Sequence, residues 1–126
     1  MLLKDYIPNI DKKYNNIFFS GISFDSSKVK KNHIFFAIKG NKFDGNNFID
    51  IAVKKGATII ISERKIVKKI KNIIFLNYSN VRKLLAEVSY KIVGKIPKKM
   101  VAVTGTNGKS SIADFYYQIL NLNLKK

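Results

Sequence analysis

Apolar residues in this chain come in two arrangements, short unbroken runs and runs spaced three or four apart, and their alternation sets the expected fold. His33-Ile34-Phe35-Phe36-Ala37-Ile38 and Ala57-Thr58-Ile59-Ile60-Ile61-Ser62 are continuous, β-branched and aromatic, as strands buried on both faces are. Asn72-Ile73-Ile74-Phe75-Leu76 predicts a further short strand, and Ile17-Phe18-Phe19 and Ser20-Gly21-Ile22-Ser23-Phe24 predict extended segments broken at Gly21. Helical spacing runs from about Asn47 to Lys55, where Phe48, Ile51 and Ala52 share a face and Gly56 sits at the stop. It returns after a cap at Ser79 or Asn80 and continues to Val93, with Val81, Leu84, Leu85, Val88 and Ile92 as the stripe. A short helix around Leu2–Ile7 is cut by Pro8, and the lysine-rich stretch after Ser62 fits a helix or a loop.

Alternating strands and helices predict an α/β domain over roughly residues 1 to 93. Gly94-Lys95-Ile96-Pro97 reads as a linker, because Pro97 cannot continue a helix, so the division falls at 1–94 and 95–126. The second segment predicts a strand over 100–104, a loop, and an amphipathic helix carrying Ile112, Phe115, Tyr116, Ile119 and Leu120. One such β-loop-α unit cannot pair or bury its own strand, which makes the chain an expected N-terminal fragment of something longer.

Composition narrows the function classes. The fifteen aromatic residues and an apolar fraction of 46% suffice for a core. No run approaches the roughly 18 apolar residues of a membrane helix, and Met1-Leu2-Leu3-Lys4-Asp5 is no secretory signal, so a cytoplasmic protein without membrane insertion is expected. Zero cysteines and a single histidine, His33, exclude a disulfide framework and a thiolate- or histidine-based zinc site. The net charge of +16 comes from 22 Lys against 2 Arg, alongside 19 Ile and 13 Asn, a usage typical of AT-rich coding. The lysines are scattered without the arginines and interleaved aromatics of a base-reading surface, so a solvated face is expected rather than nucleic-acid binding.

The chemistry concentrates in Val101-Ala102-Val103-Thr104-Gly105-Thr106-Asn107-Gly108-Lys109-Ser110-Ser111. Glycines and short side chains let consecutive N–H groups face a polyphosphate, the helix start adds its positive dipole end, and Lys109 adds a mobile charge. On this reading the N–H groups from Thr106 to Ser110 surround the β-phosphate of ATP, Lys109 bridges the β- and γ-phosphates, and Ser110 ligates Mg²⁺. A strict phosphate loop would carry glycine at position 103, where this chain has Val103. The plainer alternative is that Gly105 and Gly108 only make a tight strand-to-helix turn. For Asp25-Ser26-Ser27 and for Asn41 to Asn47, residue chemistry alone favours turns, since Asp and Ser cap their own backbone. His33 opens a strand with no partner ligand, and Phe18, Phe19, Phe35, Phe36 and Phe43 read as core, with one at a loop edge free to stack on a base.

Taken in order, several motifs resemble one known family. Asp25-Ser26-Ser27-Lys28-Val29, His33-Ile34-Phe35-Phe36-Ala37-Ile38-Lys39-Gly40, Phe43-Asp44-Gly45-Asn46-Asn47-Phe48-Ile49 and Gly56-Ala57 are similar to the N-terminal, UDP-binding domain of the Mur ligases. Asn80-Val81-Arg82-Lys83-Leu84-Leu85-Ala86 and the Val-Thr-Gly-Thr-Asn-Gly-Lys run resemble the member that adds the third residue of the stem peptide. The family uses the shorter phosphate loop, which accounts for Val103. The chain departs from the family pattern at Ser27, where an arginine is usual, at Asn32-His33 in place of Gly-Asp, and at Asn46 in place of histidine.

The resemblance implies a small UDP-binding domain followed by the first β-loop-α unit of a P-loop central domain. It implies ATP-dependent amide formation: the free carboxylate of UDP-MurNAc-L-Ala-D-Glu is phosphorylated, and the amine of meso-diaminopimelate or L-lysine displaces phosphate. Gly105, Thr106, Asn107, Gly108, Lys109, Ser110 and Ser111 would hold ATP, with Lys109 catalytic and Ser110 on Mg²⁺. Phe24, Ser26, Asn41, Lys42 and Phe43 would contact the uridine nucleotide. The protein would act as a monomer, and this chain alone would be inactive. Two alternatives stand beside this: the sister ligase that adds D-Ala-D-Ala, whose loop more often reads Gly-Ser-x-Gly-Lys, and a UDP-sugar binding module without catalysis.

Overall fold

The computed structural model describes residues 1–66, 70–94 and 101–124, and the side chains of the last two, 123 and 124, lie outside the description. It divides into two compact units, Met1–Lys95 and Ile96–Lys126.

The first unit is a mixed α/β fold built on four parallel strands in the order β1 (Gly21–Ser23), β2 (His33–Ala37), β3 (Ala57–Ser62), β4 (Ile74–Asn77). Sequential parallel order requires a crossover after each strand, and those after β1 and β2 lie on one face of the sheet. Val29, from the first crossover, and Ile49 and Ala52, from helix α2 (Ile49–Lys54), pack with Phe35, Ala37, Ala57 and Ile60. The opposite face carries Ile34, Phe36, Ile59 and Ile61 under helix α1 (Leu3–Tyr6) and helix α3 (Val81–Val93), which contribute Leu3, Val81, Leu84 and Val88. Alternate residues of β2 and β3 thus face opposite cores, and this two-sided burial is why both strands read as unbroken apolar runs.

Local signals place the connections. Asn80 caps α3 by accepting from the Lys83 N–H at 2.9 Å, and Gly94 closes it in the left-handed region at φ 69°. Asp25 and Asp44 each cap a single 3-10 turn, Ser26–Lys28 and Gly45–Phe48. Three of the many asparagines, Asn9, Asn32 and Asn72, also take positive φ, a conformation their short polar side chains tolerate.

Several expectations need correction. Gly21 does not break the extended segment but opens β1, paired with His33. A Cβ there would lie 2.8 Å from the His33 ring, so a larger residue would have to push that ring aside. Phe18 and Phe43 are exposed, whereas Phe19, Phe35 and Phe36 are buried. Residues 45–48 form the 3-10 turn instead of the start of an α-helix, which rotates the following face so that Ile49 and Ala52 are buried and Ile51 is 46% exposed. Ile92, in the last turn of α3, is also exposed. Among the described residues between β3 and β4 there is no helix, and residues 67–69 fall outside the description. The linker positions 95–97 fall outside it too. No helix among the described residues is long and apolar enough to cross a membrane.

In the second unit, helix α4 (Lys109–Leu124) forms as expected, but no strand forms over residues 101–104, and Met100 lies outside the description. A strand exists only through its ladder, and none of the described residues offers 101–104 a neighbouring strand.

Candidate functional site

Chain segments leaving the carboxyl ends of β1 and β2 wall a cleft of about 930 Å³ with the first turns of α3, the end of a parallel sheet where ligands generally bind. Phe24, Asp25 and Ser26 come from the first of these segments. Ile38, Gly40, Phe43, Gly45 and Phe48 come from the second, and Arg82, Leu85, Ala86 and Ser89 from α3. The lining is mainly apolar, and two of its rings, Phe24 at 65% and Phe43 at 72% exposure, stand open to solvent. Phe43 is held edge-on to Phe48, with centroids 6.4 Å apart.

The wall carrying Phe43 is a closed turn. The Gly40 N–H donates to the Phe43 carbonyl at 2.8 Å and the Gly45 N–H to the Ile38 carbonyl at 2.9 Å, so residues 39 and 44 pair as a short antiparallel bridge. Gly45 fits there because it has no side chain: a Cβ would fall 2.6 Å from the Ile38 nitrogen and 2.7 Å from its oxygen. Below it, Asp44 accepts from the Asn46 backbone N–H at 2.9 Å and side-chain amide at 2.7 Å, and pairs with Arg64 at 2.9 Å. The Asn46 amide oxygen in turn accepts from the fully buried Ser62 hydroxyl at 2.6 Å, and that hydroxyl accepts from the Arg64 N–H at 3.0 Å. These bonds hold the Asp44 carboxyl below its ordinary range, with the Asn46 amide the largest cause and Arg64 a smaller one.

On the opposite wall the Asp25 carboxylate accepts from the Ser27 backbone N–H at 2.8 Å and hydroxyl at 2.7 Å, which lowers its pKa. Ser27, standing where an arginine is usual in the resemblance, is therefore spent on the cap. The Lys55 ammonium donates to the Ser27 carbonyl at 2.8 Å and contributes to the field on Asp25.

Of the residues expected to meet a uridine nucleotide, the structure brings Phe24, Ser26 and Phe43 to one cleft. Asn41 and Lys42 do not line it; they occupy the exposed tip of the turn between Gly40 and Phe43. Sequence reasoning assigned no role to Arg82, whose guanidinium crosses from α3 to donate to the Lys39 carbonyl at 2.9 Å. Its scarcity was the available signal, since only two arginines stand among 24 basic residues. His33 sits away from the cleft, its Nδ1 buried without a partner and its pKa lowered by burial first and by Lys30 second.

In the second unit, Gly105, Thr106, Asn107 and Gly108 form an irregular, exposed turn into α4, with Gly108 at φ 75°. Lys109 and Ser110 open the helix, and the Ile112 N–H makes its bond to the Gly108 carbonyl at 3.0 Å. Helix geometry therefore leaves the N–H groups of Lys109, Ser110 and Ser111 without intrahelical acceptors. The Lys109 ammonium folds back to donate to the carbonyls of Gly105 and Thr106.

Comparison with known proteins decides what these features belong to. Residues 18–102 match a family model described as Mur ligase family, catalytic domain. The chain belongs to the Mur ligase family. Among curated Mur ligases, the UDP-N-acetylmuramoyl-L-alanyl-D-glutamate--2,6-diaminopimelate ligase of Rickettsia prowazekii is 39% identical over 118 residues, covering 94% of this chain and 24% of that protein. The protein of the same name from Fusobacterium nucleatum is 40% identical over 112 residues, 87% of this chain and 21% of its own length. The chain thus spans about a quarter or less of the curated relatives it matches. Among solved structures, the MurF ligase of Thermotoga maritima in complex with ADP superposes with a TM-score of 0.54 at 34% identity, covering 71% of this chain and 20% of that one. The family expected from the motifs between Ile22 and Ser111 is the family found.

Proposed function

We propose that this chain is the uridine-nucleotide-binding part, followed by the opening of the ATP-binding part, of the Mur ligase that adds the third stem-peptide residue to UDP-MurNAc-L-Ala-D-Glu. The observation that carries the reading is the 39% identity to a diaminopimelate ligase across 94% of the chain. The cleft adds support, because the motif residues Phe24, Ser26 and Phe43 meet there. Residues 1–94 take the uridine end of the substrate: an exposed phenylalanine stacks on the base and the Ser26 hydroxyl offers a hydrogen bond. Asn41 and Lys42, at the tip of the turn, reach only the outer part of such a ligand.

Residues 95–126 contribute the start of the ATP site. Free N–H groups at the start of the 16-residue helix α4, and an ammonium bonded only to loop carbonyls among the described groups, fit a polyphosphate. Gly105 to Ser111 hold ATP in this reading, and Lys109 neutralises charge on the transferred phosphoryl group. The Ser110 hydroxyl would be a ligand of Mg²⁺, which would supply further charge neutralisation when bound. The substrate carboxylate takes the γ-phosphoryl group of ATP, releasing ADP and giving an acyl phosphate, and the amine of meso-diaminopimelate or L-lysine attacks its carbonyl carbon, forming the amide and releasing phosphate and a proton. The residues that select the amino acid belong to the remaining three quarters of such a ligase, so the chain alone is inactive. The complete protein works as a cytoplasmic monomer.

Calorimetry with UDP-MurNAc-L-Ala-D-Glu tests the first half of this. Saturable binding to the 126-residue chain, weakened in Ser26→Ala, is expected; no saturable binding to the wild type refutes the cleft assignment. The D-Ala-D-Ala-adding ligase is the second reading, favoured by the structural likeness to the MurF ligase and to a D-alanyl-D-alanyl ligase from Acinetobacter baumannii at 28% identity and a TM-score of 0.54. Turnover of the dipeptide nucleotide with a diamino acid by the complete protein supports the first reading, and turnover of the tripeptide nucleotide with D-Ala-D-Ala supports the second.

A further inference from the structure

Arg82 is, among the described residues, the one cationic side chain lining the cleft. Among the described groups its guanidinium makes one hydrogen bond, to the Lys39 carbonyl at 2.9 Å, which spends one of its five N–H donors. No described carboxylate neutralises it. Asp44 pairs with Arg64 and Glu87 with Lys83, while Asp25, the acidic residue of the cleft, caps the turn after β1 and pairs with Lys28. A permanently charged, planar donor is therefore held by a backbone carbonyl at the edge of an otherwise apolar, aromatic-walled cleft, with most of its N–H groups free of described acceptors.

Such an arrangement suits a ligand with two chemically different ends, a flat ring for Phe24 or Phe43 and an anionic oxygen cluster for the guanidinium. We propose that Arg82 binds a phosphate of the nucleotide seated in this cleft and is the residue that distinguishes a uridine nucleotide from uridine. The inference rests on the uridine-nucleotide reading given above and adds to it the side chain that reads the charge. The bond to Lys39 has a second consequence: it ties α3 to the turn that carries Phe43, so the anion contact and the ring contact share one anchor. The guanidinium arrives oriented, and less side-chain entropy is lost on binding than a free lysine would lose.

Titration of the 126-residue chain with uridine, UMP and UDP, followed by NMR or calorimetry, tests this in wild type, Arg82→Met and Arg82→Lys. Methionine keeps an apolar stem and removes the charge, and circular dichroism checks that each variant is folded. Wild type is expected to prefer UDP over uridine. Arg82→Met is expected to lose roughly tenfold or more in UDP affinity, the scale of a charge-assisted hydrogen bond, while uridine affinity changes by less than about twofold. Arg82→Lys should retain part of the preference. If Arg82→Met keeps the full UDP-over-uridine ratio, or loses both ligands equally because only the turn is disturbed, the inference is overturned and the cleft assignment survives. If wild type binds neither uridine nor UDP, the uridine-nucleotide reading itself fails and the inference falls with it.

Discussion

Ser62→Ala is the substitution whose effect the structure specifies most closely. Ser62 ends β3 fully buried, and its hydroxyl both donates to the Asn46 amide oxygen at 2.6 Å and accepts from the Arg64 N–H at 3.0 Å. Alanine fits the same space, so no overpacking enters. What is lost is two hydrogen bonds, each worth about 1 kcal/mol net, with a further penalty because the half-buried Asn46 amide oxygen is left unpaired. The sum is about 2–3 kcal/mol, which for a unit of this size lowers the melting temperature by roughly 10–20 °C. Urea and thermal unfolding of the whole chain, followed by far-UV circular dichroism, measure it. Asn46→Ala removes the same bond from the other side and also the amide contact to Asp44. The double variant should therefore cost about 1 kcal/mol less than the sum of the singles. A loss below about 0.5 kcal/mol for Ser62→Ala, or strict additivity in the cycle, would show that this buried network does not hold the turn.

Gly45→Ala should destabilise by about 1–3 kcal/mol or more and weaken nucleotide binding together, because the new methyl meets backbone atoms of Ile38 that cannot swing aside; denaturant unfolding near the wild-type midpoint would contradict the tight approach. Acid should act in two stages. His33 has a folded pKa lowered below its ordinary 6.5, so the unfolded chain takes up the proton first and stability falls as pH drops through and below 6.5. Asp25 and Asp44, lowered from 3.8, contribute stability that is present above that value and lost as pH falls below it. Unfolding midpoints between pH 8 and 3 should show both stages in wild type and only the lower one in His33→Gln. In the complete ligase, Lys109→Ala should abolish turnover and leave binding of the uridine substrate within about twofold, since the lysine serves a different nucleotide; wild-type rates in that variant would contradict its role.

Much of the unit 1–95 was legible from residue order because the signals are local. Unbroken apolar runs marked β2 and β3, Asn80 marked the start of α3, and Asp25 and Asp44 announced capped turns. The ordered motifs sufficed for the family, and three of their residues act locally, Asp25 and Asp44 capping their 3-10 turns and Asn80 capping α3. Long-range contacts settled the rest. Phe18 and Phe19 are neighbours in one short apolar run, yet one is exposed and one buried, because only Phe19 turns into the core, edge-on to Tyr6. Gly21 joined a strand because His33 lay opposite, and Ser62 found Asn46 sixteen residues away. Arg82 entered the cleft through a carbonyl 43 positions earlier, a relation no spacing rule encodes. Residues 101–104 show the converse: their apolar run predicts a strand, but a strand is a property of a pair, and among the described residues none pairs with them. Sequence carried the conformational preference of each segment, and the fold decided which faces met, because burial and pairing depend on neighbours that folding alone supplies.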